Sequence, residues 1–111
     1  MDARDQERAI IERTLTEYAA IPYAYGDVRT VPVFDRERDH YLLVIVGRDG
    51  LRRVHGSLVH IDIEGADIVI QRDGTERGMG RDLVAAGIAP DRIVLAFHAN
   101  GPFRYSEAVA A

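Results

Sequence analysis

The run from His60 to Ile88, HIDIEGADIVIQRDGTERGMGRDLVAAGI, reads in one pass as strand, tight turn, strand and capped helix. Side chains alternate across a strand, so Val59, Ile61 and Ile63 share one face with Ser57. His60 and Asp62 share the other. Glu64, Gly65, Ala66 and Asp67 make the turn, after which Ile68 and Ile70 continue the apolar face opposite Ile63 and Ile61. The same register sets His60 across from Gln71 and Asp62 across from Val69. Asp73-Gly74 ends the second strand, and Thr75, or Asp73 with Glu76 three residues on, suits a helix N-cap. That helix carries Leu83, Val84 and Ile88 and stops at Gly87, while Gly78 and Gly80 weaken its first turn.

The remaining segments extend this pattern. Ile10, Ile11, Leu15 and Tyr18 recur at helical spacing within residues 2–20, with Asp2 as N-cap and Pro22 as terminator. Val28–Phe34 is a strand in which Pro32 cannot donate to a ladder, the mark of an edge or a bulge. His40–Val46 is an apolar run too short for a helix, and Gly47–Arg52 reads as a hairpin loop. A last buried strand spans Arg92–Phe97, followed by a tail without a clear form. The expected fold is α+β in two layers: an antiparallel meander with two helices on one face, in the order α-β-β-β-β-α-β. Its other face carries Leu42, Val44, Val46, Leu58, His60, Asp62 and Val69, too apolar for water alone. Leu42, Val44, Leu58, His60 and Val69 are therefore a candidate interface, and a homo-oligomer is expected, the alternative being that the tail folds back over this face.

A chain of 111 residues makes one domain, 1–111, able to bury a core without staples. It has no cysteine, so disulfides and thiolate chemistry are excluded. No signal peptide or membrane span is legible, and a cytoplasmic location is expected. All 14 basic residues are arginine and the net charge is −4. Scattered arginines are usually solvated surface. An acidic balance does not support an autonomous DNA binder, although a local basic patch stays open.

Chemistry-bearing residues are few. His55 and His60, five apart, face opposite ways on a regular strand. His60 and Asp62 share a face, but a metal or acid–base role needs a third group, with Gln71 or Glu64 the nearest guesses. No metal site and no cofactor are expected, and a hydrogen-bonded interface histidine is favoured. Asp73 and Glu76 suit a helix start better than a catalytic pair. The glycines of GTERGMG have the wrong spacing for a phosphate loop. His55, His60, Asp62, Gln71, Asp73 and Glu76 thus form the candidate polar set, with no catalytic residue among them. The tyrosines do not form a base-stacking platform, and Ser57 and Ser106 have no nucleophile-elbow context.

TEYAAIPYAYGD (16–27), FDRERDHYLLVIVG (34–47), RRVHGSLVHIDI (52–63), IVIQRDGTERG (68–78) and LVAAGIAPDRIVLAF (83–97) occur in that order. Together they resemble the XisI family, excision-controlling factors first linked to the fdxN DNA element of cyanobacteria. Val69 and Ala96 stand where a tryptophan and a glycine are expected, which are packing-type changes. The resemblance implies an α+β protein of this length and a role in programmed DNA rearrangement beside a site-specific recombinase. It also implies a frequent companion, XisH, similar to nuclease-fold proteins. It carries over no catalytic residues. The leading expectation is a non-enzymatic accessory protein that binds such a partner. Its competitors are a small enzyme or ligand binder built on His55, His60, Asp73 and Glu76, and an antitoxin-like inhibitor of a neighbouring nuclease.

Overall fold

The computed structural model describes residues 2–23, 26–98 and 101–105. Helix α1 (Ala3–Ala19) is followed by strands β1 (Asp27–Asp35), β2 (His40–Asp49), β3 (Arg52–Glu64) and β4 (Asp67–Asp73). Helix α2 (Met79–Ala85), a 3-10 turn (Pro90–Arg92) and short strands β5 (Ile93–Leu95) and β6 (Phe103–Arg104) complete the order. The sheet runs β1-β2-β3-β4-β5-β6. Strands β1 to β4 form the expected antiparallel meander. Strand β5 lies parallel to β4, because α2 carries the chain back to the end where β4 began. Strand β6, which has no counterpart in the sequence reading, pairs antiparallel with β5 and closes that edge. Tyr25, Asn100 and Ser106 lie outside the described residues.

Both helices cover one face. Ile11 and Leu15 of α1 and Met79 and Leu83 of α2 meet Tyr41, Leu43, Val59, Ile61, Ile68 and Ile70 of the sheet, and all of these are fully buried. The side chain of Asp2 caps α1 by accepting the Asp5 N–H at 2.8 Å. Among the described residues, no helix is long and apolar enough to cross a membrane.

Two register shifts reorganise the faces. One residue of β3, Leu58, has no partner between the pairs Leu43–Val59 and Val44–Ser57. Such a bulge inverts alternation beyond it. Ser57 therefore joins Val44 on the open face, and Leu58 packs against the core side. Both placements correct the sequence reading, and Leu58 leaves the candidate interface. On β4, Gln71 is the extra residue, so His60 faces Arg72 and not Gln71. The pairs Asp62–Val69, Ile61–Ile70 and Ile63–Ile68 stand as expected.

The arginines do more than solvate the surface. Arg8 gives Asp39 a two-pronged contact at 2.8 and 3.1 Å. Arg36 clasps Glu12 at 2.8 and 2.9 Å, and Arg92 clasps Glu7 at 2.9 and 2.6 Å. These clamps tie α1 to the β1–β2 turn and to the segment before β5. Asp39 is the most constrained of their partners. It is buried, with φ +59 in the left-handed region, where aspartate is better tolerated than most residues. Its carboxylate also accepts the Tyr41 hydroxyl at 2.8 Å, and its carbonyl accepts the Ile63 N–H at 3.1 Å. The hydrogen bonds from Arg8 hold the Asp39 carboxyl below the usual carboxylate range, against the upward push of burial.

Asp39→Asn is expected to cost about 2 kcal/mol in urea unfolding, because the charge-assisted bonds to Arg8 are lost. The wild-type contribution of Asp39 is present above the ordinary aspartate pKa of about 3.9 and fades as pH falls through the lower folded value. The variant therefore shows a flatter acid limb in stability measured against pH. Gly47→Ala is expected to destabilise by more than about 1 kcal/mol in the same assay. The added Cβ runs into the Asp27 carbonyl of the paired strand, and the glycine φ is +153.

Candidate functional site

The open face of the sheet carries the polar cluster. Strand register gathers Val31, Leu42, Val44 and Val69 there, with His40, His60 and Asp62 at one end. Asp62 is 7% exposed. Its Oδ1 accepts His40 Nδ1–H at 2.7 Å and His60 Nε2–H at 2.8 Å. Its Oδ2 accepts Gln71 Nε2–H at 3.3 Å. The two imidazole rings meet edge to face with centroids 6.2 Å apart. Burial pushes the Asp62 carboxyl up, but the bonds from His40, His60 and Gln71 outweigh it and leave the group lowered. The same contact to Asp62 raises the His40 imidazole above its ordinary value. Three nitrogen and oxygen donors, from His40, His60 and Asp62, lie within 4.8 Å of one another. This is a constellation suited to proton sharing or to a cation.

The other members of the candidate set go elsewhere. His55 pairs with Val46 and, because of the Leu58 bulge, lies on the same open face as His60 and not on the opposite one. Ser57 stands between them on β3, and His55 is exposed. Asp73 is on the helix side. Its carboxylate accepts the Thr75 N–H at 2.9 Å and the Met79 N–H at 2.6 Å, tying β4 to the start of α2. The helix begins only at Met79, because Gly78 takes φ +88, and Gly80 is held bare by the Tyr105 ring packed against it. Glu76 is exposed and lines a cavity of about 510 Å³ with Tyr18, Leu58 and Gly74, also on the helix side. The structure thus separates Asp73 and Glu76 from His60 and Asp62 by the thickness of the sheet.

His40 is the functional candidate that sequence reasoning missed. Counted without interruption from the Asp49–Arg52 pair, it would face Ile61. The extra residue Leu58 moves it opposite Asp62. Its chemistry was visible in the sequence and its partner was not, since a bulge leaves no composition signal.

The open face also has a basic end. Register places Arg29, Arg48, Arg53 and His55 together at the far end of the β2–β3 hairpin, with Asp27 opposite Arg48, away from His40 and Asp62. A second helix-side cavity of about 500 Å³ lies between α1 and α2, lined by Arg13, Glu17, Tyr18, Arg77 and Asp82. Its walls mix both signs of charge with the Thr14 hydroxyl.

Comparison with known proteins agrees with this architecture. None of the curated proteins matches the chain. A solved XisI-like protein from Anabaena variabilis ATCC 29413 is similar at 31% identity with a TM-score of 0.77, over 86% of this chain and 88% of that one. The fdxN element excision controlling factor XisI of the same organism is similar at 28% identity with a TM-score of 0.61, over the same shares of the two chains. The family described as XisI protein matches residues 1–109. The chain belongs to the XisI family.

Proposed function

We propose that this chain is a non-enzymatic, cytoplasmic accessory protein that helps control programmed DNA excision by binding a XisH-type protein through its open sheet face. The observation that carries this reading is the face itself. It is half-buried and valine-rich, and no described element covers it. A hydrophobic centre with a charged border is what a protein interface presents. The arginines at one end suit a partner whose apolar patch is bordered by acidic groups. The separation of Asp73 and Glu76 from the histidines removes support from an enzyme built on that set. The similar XisI of Anabaena variabilis is named for excision control, which supports the biological setting.

Co-expression with the neighbouring XisH-type protein is expected to give a complex that survives size exclusion. Leu42→Glu and Val44→Glu are expected to weaken it by more than about hundredfold, since each leaves a charge unpaired in the contact. The fold of the free variants, followed by melting, should hold. Absence of a complex sinks the reading. If light scattering instead finds a homodimer of the chain alone that Leu42→Glu dissolves, the occupant of the face is a second copy. Binding of duplex DNA that weakens steeply with salt assigns the basic end to nucleic acid.

A further inference from the structure

The polar end of the open face has a geometry that partner binding does not require. We propose that His40, His60 and Asp62 form a binding site for one divalent transition ion of the zinc class. The donors are His40 Nδ1, His60 Nε2 and one carboxylate oxygen of Asp62. Sequence spacing gave His60 and Asp62, with Gln71 or Glu64 as the nearest guesses for a third donor. Strand β2 supplies it, through the bulged register that sets His40 against Asp62.

Four observations converge. First, both imidazole nitrogens already point at the same carboxylate oxygen, at 2.7 and 2.8 Å. Ligand atoms around tetrahedral zinc stand about 3.3 Å apart, so each contact needs to open by only about half an ångström. Second, Asp62 is nearly buried, and its contacts among the described residues are imidazoles and an amide, with no arginine. A buried carboxylate is costly without a full counter-charge, and a dication supplies one. Third, Gln71 holds the second carboxylate oxygen and fixes which oxygen is offered, the usual task of an outer partner in a metal site. Fourth, the His40 side chain is 48% exposed, so an ion has a way in and a further ligand position faces outward. Two imidazoles and one carboxylate favour zinc, nickel or copper over magnesium and calcium, which prefer oxygen throughout. On binding, each ring carries its proton on the nitrogen that does not face Asp62.

The test uses the untagged full chain, stripped with a chelator and titrated with Zn²⁺ by calorimetry and with Co²⁺ by visible absorption. One equivalent is expected, with ligand-field bands of a nitrogen–oxygen site. His40→Ala and His60→Ala, both at partly exposed positions, should fold as wild type and each weaken Zn²⁺ binding by about hundredfold or more. His55→Ala, on the same face but outside the cluster, should leave binding unchanged. Zn²⁺ should raise the melting temperature of wild type and not of His40→Ala. No binding, or binding that survives both histidine changes, overturns the site. With chelator added to the assay of the XisH-type complex, either idea can fail without the other.

Discussion

A single buried carboxylate, Asp39, holds the architecture in alignment. It sits in the turn between two strands and in a backbone conformation few residues accept. From there it grips the first helix through Arg8, the second strand through the Tyr41 hydroxyl and the end of the third strand through its own carbonyl. Removing a charge like this from water is repaid only by such complete coordination. The consequence reaches the open face. His40 is the next residue in the chain, so the anchor on the helix side fixes where the imidazole on the opposite side begins.

Much of the fold was readable because local and long-range preferences coincide. The isoleucines at 61, 63, 68 and 70 specify a buried strand face, and Gly65 with φ +57 specifies the turn between their strands. The spacing of Ile11, Leu15 and Tyr18 specifies how α1 docks. What escaped the sequence was of another kind. Leu58 and Gln71 each add one residue to a ladder, and neither has a composition signature. Yet they decide which side chains share a face, putting Ser57 and His55 with His60 and taking Leu58 to the core. The parallel pairing of β5 depends on the crossover through α2, a helix that its own glycines shorten to seven residues.

The arginines illustrate the same limit. As a composition they read as scattered, solvated surface. In the structure they act as fork-shaped ties across long stretches of chain, Arg92 to Glu7 and Arg36 to Glu12, where the flexible point charge of lysine is a poorer match. The candidate site was half legible for a related reason. Residues two apart on one strand can be paired by counting, whereas the third came from a neighbouring strand whose alignment only the folded sheet reveals.

The borders of the sheet carry a further consequence. One rim is β1, where Pro32 withholds an amide hydrogen, and the other is β6, only two residues long. The first lacks one donor at Pro32, and the second is too short to seat a long added strand. Company that stacks broadside on the open face is instead chosen by side chains and not by the indiscriminate grammar of the peptide bond.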